Sequence, residues 1–330
     1  MPLVSVIIPC YNEQATIRLL LDAIHQQSFP CADMEVILAD GLSTDQTMAE
    51  VSRFQREVPD LLVVVVENAR RNIPAALNCA LNAARGEYVV RLDAHSVPAR
   101  DYVERCVTAL AAGLGENVGG VWEVRPRGAG MVQRAIAVAA SHPFGVGDAL
   151  YRYTNQAGYV DTVPFGAFRR EVFEKYGRFD ESLLTNEDYE FNARLRQQGG
   201  RVWLDPRIRS TYFARGSLKA LAQQYWRYGY WKWRMLRRYP KTLRWRQALP
   251  PVFVLSLVFW LVLAVFWQPA LALLGAELLF YGVVLVAGTL PAARKQNELR
   301  LALIVPLAIA CMHLSWGSAF LWSMIKNYND

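Results

Sequence analysis

The sequence predicts an α/β domain built on a parallel sheet, followed by about three helices that span a membrane. Short apolar runs alternate with helical periodicity over residues 1–92, a pattern typical of βαβ units. Three apolar segments follow residue 247, and each is long enough to cross about 30 Å of hydrocarbon. Hydrophobic residues make up 53% of the 330-residue chain and charged residues 20%, which excludes a disordered protein.

The first part of the chain divides into alternating strands and helices. Short apolar runs predict four strands, at 3–9, 34–40, 61–66 and 87–92. Apolar residues at helical spacing predict three helices between them, at 13–27, 44–56 and 74–84. In a parallel sheet of this kind, ligands bind in the crevice at the carboxyl ends of the strands. The residues that follow the strands are therefore the candidate functional residues.

Polar and aromatic residues follow the first two predicted strands. Tyr11 and Glu13 come after strand one, which ends at Pro9, and Asp40 ends strand two. A carboxylate at such a position can accept hydrogen bonds from a base or a ribose, and an aromatic ring offers a stacking face. These residues predict a nucleotide site. The alternative is that Asp40 and Ser43 only form the turn and cap the next helix.

Asp93 and His95 follow the fourth predicted strand. Because they are two residues apart on an extended segment, their side chains leave the same side and can reach one divalent ion. The sequence contains neither G-x-x-x-x-G-K-S/T nor G-x-G-x-x-G, so the phosphate-binding loops of nucleotide hydrolases and dinucleotide enzymes are absent. A metal held by Asp93 and His95 would neutralise the phosphates instead. The alternative for His95 is a hydrogen-bonded structural histidine.

Four motifs in order resemble the nucleotide-binding half of the family 2 glycosyltransferases, which have the GT-A fold. They are PCYNE, ADGLSTDQT, Asn78 eight residues before Gly86, and RLDAH, with DAH in place of the family's D-x-D. The resemblance implies a Rossmann-like GT-A domain that binds a UDP-sugar through Pro9, Tyr11, Glu13, Asp40, Asn78 and Asp93. It also implies Mg²⁺ or Mn²⁺ at Asp93 and His95, and the imidazole ligand favours Mn²⁺.

Three further motifs resemble the acceptor-side half of the same family. They are VPFGAFRR, GRFDE and TNEDYE, which contains Glu187 and Asp188. The resemblance implies that Asp188 is the base of an inverting transfer and that Glu187 lies at the acceptor. An inverting displacement needs one carboxylate to take the acceptor's proton, because a metal and cations stabilise the leaving diphosphate. The alternative is that both acids are ordinary first-turn residues of a helix.

The net charge of +7 comes from one segment. Residues 209–247 carry 11 basic and no acidic side chains, whereas residues 1–208 carry 21 basic and 26 acidic ones. Aromatic and basic residues interleave over 215–239, which predicts an amphipathic helix in the headgroup region of a membrane. Nucleic-acid binding is the competing interpretation of such a segment, and the apolar segments that follow argue against it. We call residues 215–247 the collar.

One motif within the collar resembles the Q-x-x-R-W motif of membrane-bound polysaccharide synthases. It reads Gln224-Tyr225-Trp226-Arg227-Tyr228, with tyrosine in place of the final tryptophan. The resemblance implies that Arg227 contacts the diphosphate of the donor, a role for which a guanidinium is suited because its fork matches phosphate oxygens. It also implies that Gln224 and Tyr228 line the acceptor channel.

The last part of the chain predicts a multi-pass membrane domain. We expect spans at about 248–267, 269–290 and 301–325, after a catalytic domain at 1–214. The loop between spans two and three carries Arg294, Lys295 and Arg300, so the positive-inside rule places it and the catalytic domain in the cytoplasm, at the inner membrane, and the C-terminus outside. The N-terminus lacks the features of a signal peptide. Five cysteines without a C-x-x-C pair fit a reducing compartment.

The sequence thus favours an inverting, metal-dependent transferase that moves a hexose, glucose by the resemblance, from a UDP-sugar to a polyprenyl-diphosphate-linked saccharide of exopolysaccharide biosynthesis. Two enzymatic alternatives are a processive polysaccharide synthase and a polyprenyl-phosphate sugar transferase. A non-enzymatic alternative is a membrane-tethered UDP-sugar sensor. Glu277 and His313 lie within the predicted spans, where ionisable residues are costly, but three spans are few for a transporter.

Overall fold

A computed structural model describes residues 1–326, except for the side chains of residues 241, 245 and 246. The chain divides into two compact units. The first comprises residues 1–123 and 153–212, and the second comprises residues 124–152 and the chain from 213 onward. The first unit is the α/β part and the second contains the collar and the three long apolar helices.

The first unit is organised by one mixed β-sheet, which has nine strands among the described residues. The strands are β1 (Val4–Cys10), β2 (Met34–Asp40), β3 (Leu62–Glu67), β4 (Tyr88–Arg91), β5 (Val97–Pro98), β6 (Asn117–Arg125), β7 (Gly158–Tyr159), β8 (Ala167–Arg169) and β9 (Val202–Phe213). Their order is β3-β2-β1-β4-β8-β6-β9-β5, and β7 pairs with β9. The first four are mutually parallel, and β8 joins β4 antiparallel. The predicted α/β class is confirmed.

The parallel core forms because β1 and β2 are buried along their whole length, as expected for strands covered on both faces. One polar cluster lies within it. The Ser5 hydroxyl donates to Oε1 of Glu35 at 2.7 Å, and the Arg85 guanidinium donates to Oε2 of Glu35 at 2.7 Å. A Cβ at Gly86 would lie 2.6 Å from the backbone nitrogen of Ser5. Only glycine therefore lets the chain enter β4 this close to β1.

Six helices belong to the first unit, and the first three lie where the periodicity predicts helices. The six helices of the first unit are α1 (Ile17–His25), α2 (Thr47–Glu57), α3 (Ile73–Ala83), α4 (Tyr102–Ala111), α7 (Glu171–Lys175) and α8 (Glu187–Gln197). α1 and α2 begin four and three residues later than predicted. Residues 11–16 instead form a loop in which the Glu13 N–H donates to Oγ1 of Thr47 at 2.8 Å, and Asn12 adopts a left-handed backbone conformation.

The second unit contains helices and loops, and among its described residues the only strand segments are the ends of β6 and β9. Its helices are α5 (Met131–Ala139), α6 (Pro143–Val146), α9 (Leu218–Arg238), α10 (Trp245–Ala264), α11 (Pro269–Lys295) and α12 (Leu301–Ile325). α9 is the helix of the collar and is capped by the Ser217 hydroxyl, which accepts from Ala220 N–H at 3.2 Å. A Cβ at Gly229 would lie 2.2 Å from the Trp316 carbonyl oxygen, so this glycine allows α9 and α12 to pack closely.

α10, α11 and α12 are each long and apolar enough to cross a membrane. They cover the three predicted spans, and the side chains of α10 and α11 remain largely exposed, as lipid-facing residues are. Their polar residues pair with one another. Glu277 accepts from the Ser256 hydroxyl at 2.5 Å and from Trp260 Nε1 at 2.8 Å. His313 Nδ1 lies 2.9 Å from the Tyr281 hydroxyl.

Candidate active site

The ends of β1 and β2 bring the first group of predicted residues together. In the parallel register Pro9 pairs with Ala39 and Cys10 with Asp40, so the loops that follow the two strands leave the sheet side by side. The Asn12 N–H donates to the Ser43 hydroxyl at 2.9 Å. These bonds join the PCYNE and ADGLSTDQT motifs into one surface, as the nucleotide-site hypothesis requires.

Tyr11 and Asp40 differ in how they are held in this surface. Tyr11 is 46% exposed, and a Cβ on Gly41 would lie 3.3 Å from the Tyr11 side chain. The ring is thus open for stacking on a base. Asp40 is 9% exposed and accepts from the Ser43 N–H at 3.1 Å and the Ser43 hydroxyl at 2.6 Å. Asp40 therefore has the turn-forming bonds of the alternative interpretation, and its nucleotide contact stays a prediction.

Glu13 and His95 connect the end of β1 with the loop after β4. Oε1 of Glu13 lies 3.0 Å from Nδ1 of His95, and the imidazole is 43% exposed. A carboxylate that holds one ring nitrogen orients the ring and makes the other nitrogen a better metal ligand. Nε2 of His95 would then be the ligand atom. A divalent ion held by both Asp93 and His95 stays a prediction.

A buried arginine, which the sequence analysis missed, connects this region to the acceptor-side motif. Arg91 ends β4, is 3% exposed, and donates through Nη2 to Oε1 of Glu187 at 2.8 Å and to Oδ1 of Asp93 at 3.2 Å. Nη1 of Arg91 is buried without a hydrogen-bond partner among the described residues. The only signal in the sequence was a charged residue in the otherwise apolar run YVVRL. One cation therefore links a candidate metal ligand with the candidate acceptor residue.

The pKa values of Glu187 and Asp188 show how burial and this cation compete. Burial raises the pKa of Glu187 most strongly, Arg91 lowers it, and the pKa settles at about 6. Burial likewise raises the pKa of Asp188, against the opposing charge of Arg91. Burial alone would lower the pKa of Arg91, but the attraction of Asp93, Glu187 and Asp188 outweighs it and raises that pKa. Arg91 is thus charged and keeps the two acids closer to ionisation than burial alone would.

The backbone places both acids in the first turn of α8. Asn186 precedes the helix with φ of 68°, a left-handed conformation that asparagine tolerates better than most residues. Glu187 is 6% exposed, whereas Asp188 is partly exposed and accepts from the Tyr189 N–H at 2.7 Å. A carboxylate at a helix N-terminus with partial access to solvent can accept a proton from a bound hydroxyl.

Asn78 lies in α3, where its side chain holds another segment of the chain. Its amide nitrogen donates to the Phe179 carbonyl at 3.0 Å and to Oε1 of Glu181 at 2.8 Å, and its amide oxygen accepts from the Phe179 N–H at 3.1 Å. Asn78 thereby fixes the GRFDE motif against α3. A contact between Asn78 and the nucleotide stays a prediction.

The remaining predicted residues lie on α9, in the second unit. Nε2 of the buried Gln224 donates to the Tyr228 hydroxyl at 2.9 Å, one helical turn away. Arg227 is exposed. The Q-x-x-R-Y motif is therefore helical, with its glutamine and final tyrosine bonded to each other and its arginine accessible.

Comparisons with known proteins bear on the family and the fold of the chain. The sequence profile of Glycosyl transferase family 2 matches residues 5–177. The chain is 30% identical to the succinoglycan biosynthesis protein ExoA of Rhizobium meliloti (strain 1021) over 98% of this chain and 95% of that protein. It is 24% identical to a Methanococcus voltae dolichyl N-acetyl-alpha-D-glucosaminyl phosphate 3-beta-D-2,3-diacetamido-2,3-dideoxy-beta-D-glucuronosyltransferase, over 99% of this chain and 98% of that one.

Among solved structures, the fold is similar to a mannosyltransferase of Pyrobaculum calidifontis, described in complex with GDP-Man and Mn²⁺. The TM-score is 0.65 at 24% identity, over 97% of this chain and 87% of that one. It is also similar to residues 1–349 of S. aureus TarS in complex with UDP-GlcNAc, with a TM-score of 0.53 at 17% identity, over 100% of this chain and 93% of that one. The predicted GT-A fold is confirmed. The chain belongs to glycosyl transferase family 2 and is a glycosyltransferase.

Proposed function

We propose that the chain is an inverting, metal-dependent transferase that moves one hexose from a UDP-sugar to a polyprenyl-diphosphate-linked saccharide of exopolysaccharide biosynthesis. The observation that carries the proposal is the buried bridge from Asp93 through Arg91 to Glu187. It couples the carboxylate that would face the donor's diphosphate to the helix that bears Asp188. The name of the Rhizobium relative supports the exopolysaccharide, and that of the Methanococcus relative supports a lipid-linked acceptor.

The donor would bind at the carboxyl ends of β1, β2 and β4. The exposed Tyr11 ring, which lies beside Gly41, would stack on the base. The resemblance to the PCYNE motif adds Pro9 to this site. Asp40 would also accept a hydrogen bond from the base. A carboxylate has about four acceptor sites, so it can do this while it accepts from Ser43. The solved neighbours are described with GDP and UDP donors. We favour uridine on the resemblance to the PCYNE and ADGLSTDQT motifs.

Asp93 and His95 would hold the divalent ion that GT-A enzymes use. Bound there, the ion would supply the positive charge that stabilises the departing nucleoside diphosphate. Glu13 would keep the His95 ring in place through the bond to Nδ1, and Arg91 would hold Asp93 from the other side. A mixed nitrogen and oxygen donor set favours Mn²⁺ over Mg²⁺.

Asp188 would take the proton of the acceptor hydroxyl as that hydroxyl attacks the sugar's anomeric carbon. Its raised pKa makes it a stronger base than an exposed aspartate once it is ionised. Arg91 and the first turn of α8 favour the ionised form that this step requires. Glu187, fixed by Arg91, would line the acceptor side. A single carboxylate suffices because the diphosphate leaves without needing an acid.

The second unit would keep the reaction at the cytoplasmic face of the inner membrane. α10, α11 and α12 have the length and hydropathy of spans, and exposed basic residues of the collar, such as Lys219, Arg237 and Arg238, would contact anionic headgroups. We keep Arg227 as the proposed diphosphate contact and Gln224 and Tyr228 as proposed acceptor contacts, on the resemblance to the Q-x-x-R-W motif. Arg227→Lys, which keeps the charge but not the fork, should raise the KM for the donor.

Product analysis separates this proposal from its alternatives. Purified protein in detergent is incubated with a UDP-sugar, Mn²⁺ and a polyprenyl-diphosphate saccharide, and the masses of the lipid products are measured by mass spectrometry. We expect one added hexose and no longer products. A ladder of products would indicate a processive synthase. Tight UDP binding without any product from UDP-, GDP- or dTDP-sugars would indicate a sensor.

A further inference from the structure

Three side chains of different chemistry meet on the first unit, away from the residues described above. They are His25, the last residue of α1; Cys31, which begins the short turn before β2; and Asp60, in the connection between α2 and β3. Nε2 of His25 lies 3.1 Å from Oδ2 of Asp60, and one ligand atom from each of the three residues lies within 4.8 Å of the others.

The topology places this cluster at the amino-terminal ends of the strands, opposite the candidate active site at their carboxyl ends. β1 ends at the nucleotide surface, and α1 returns the chain to the amino-terminal ends of the strands, where His25 ends the helix. Cys31 and Asp60 lie just before β2 and β3 begin. A ligand here would contact neither Asp93 nor Asp188.

We propose that His25, Cys31 and Asp60 bind a zinc-class transition-metal ion, with one coordination position left open. An imidazole nitrogen, a thiolate and a carboxylate are the donor types that Zn²⁺ uses, and three protein ligands with an open fourth position form a known type of site. Tetrahedral bonds of about 2.0–2.3 Å place neighbouring ligand atoms about 3.3–3.8 Å apart. Side-chain movements of about 1 Å would bring the three ligand atoms to these distances from one another.

Neighbouring groups restrict the positions of two of the ligands. The His25 imidazole and the Phe54 ring pack edge to face, with centroids 6.5 Å apart and planes at 81°, which restricts the orientation of the imidazole. The Cys31 thiol lies 3.6 Å from the His25 carbonyl oxygen. The thiol therefore already lies beside the residue with which it would share the ion.

A bound ion would cross-link three connecting segments of the first unit. It would join the end of α1 to the segments that enter β2 and β3. Because the unfolded chain does not hold these residues together, the ion would bind the folded state and raise the thermal midpoint of unfolding.

The test uses the purified full-length protein in detergent, titrated with Co²⁺ as a spectroscopic substitute for Zn²⁺. Coordination by Cys31 gives a thiolate-to-cobalt charge-transfer band, which Asp93 and His95 cannot produce because neither carries sulfur. We expect one band-forming ion per chain, displaced by Zn²⁺, and a rise in the thermal midpoint with Zn²⁺. Both effects should persist in Cys79→Ser, whose cysteine is also free and partly exposed.

Variants of the ligands decide the outcome. Cys31→Ser should lose the band and the Zn²⁺-dependent rise, and His25→Asn should weaken Co²⁺ binding by about tenfold or more. Two ligand variants are used so that the conclusion does not depend on one variant that fails to fold, and size-exclusion chromatography checks that both are folded. A wild-type protein without the band at saturating Co²⁺, or a band that survives Cys31→Ser, would overturn the proposal. Glycosyl transfer is not part of the readout, so the result is independent of the proposed function.

Discussion

Replacing Arg91 with methionine removes the charge that links Asp93 to Glu187. Arg91 is 3% exposed and donates to Glu187 at 2.8 Å, and breaking a buried ion pair costs about 3–5 kcal/mol when the partner's charge remains. Glu187 can escape part of that cost by protonation. With a pKa of about 6, its protonation at pH 7 costs only about 1 kcal/mol. We therefore expect a stability loss between about 1 and 5 kcal/mol.

The same substitution should change the pH dependence of transfer. Without the Arg91 charge, burial is opposed less strongly, and the pKa values of Glu187 and Asp188 rise further. Because Asp188 must be ionised to act as the base, the acid limb of the kcat/KM profile should move to higher pH. Activity lost at pH 7 should partly return at pH 9. Arg91→Lys keeps the charge but not the fork, so its profile should move less.

The assay measures nucleoside diphosphate release against pH in detergent, alongside thermal midpoints from tryptophan fluorescence. Arg91→Met should lower the midpoint by at least about 3 °C. Arg105→Met is the matched control, since Arg105 pairs with Asp101 on the surface of α4 and such pairs contribute about 0–1 kcal/mol. A folded Arg91→Met protein with the wild-type pH profile would refute the idea that Arg91 sets the charge state of Asp188.

Four further predictions test other parts of the site. Asp188→Asn should reduce transfer by about 100-fold or more while UDP binding, measured by calorimetry, is unchanged; unaltered turnover would exclude Asp188 as the base. Glu13→Gln should raise the Mn²⁺ concentration needed for half-maximal activity by about 10–100-fold, and an unchanged requirement would show that Glu13 does not support the metal ligand. Asn78→Ala should destabilise the protein by about 1–3 kcal/mol because it leaves the buried backbone N–H and carbonyl of Phe179 without their bonds to Asn78. Asn82→Ala, which removes an exposed hydrogen bond to Arg178, should have little effect. The pKa of Glu187 rises from 4.5 to about 6 on folding, so the folded protein binds this proton more tightly. The resulting stabilisation is complete below pH 4.5, and about 2 kcal/mol of it is lost as the pH rises through 6. Thermal scans from pH 4 to 7 should show this loss in the wild type and not in Glu187→Gln.

Local patterns allowed much of the fold to be predicted. Buried parallel strands have continuous apolar runs, so the positions of β1 to β4 follow from the sequence to within a few residues. Helix starts were less accurate. α1 and α2 begin late because residues 11–16 and 41–47 bond to each other across 31 to 34 positions of sequence, and such bonds leave no periodic signal.

The same limit applies to the site. The motifs placed Asp93 and Glu187 in separate halves of the sequence, and only the fold shows that Arg91 lies between them, 96 residues from Glu187. Asn78 was predicted from the spacing of a motif, and its partners lie 101 and 103 residues away. Within the collar, the interleaved aromatic and basic residues predicted an amphipathic helix, but the buried residues of α9 include Gln224, Gly229 and Lys232. Close helix packing depends on residue size and on hydrogen bonds to distant groups.

The most direct test of the proposed reaction is the mass of the lipid product formed by wild-type protein and by Asp188→Asn. A radiolabelled UDP-hexose is supplied with Mn²⁺ and a polyprenyl-diphosphate saccharide, and the product's anomeric configuration is determined by NMR. We expect the wild type to form a lipid heavier by one hexose, joined with inverted configuration, and Asp188→Asn to form at least about 100-fold less of it. Retained configuration, or equal yields from the two proteins, would contradict the proposed reaction.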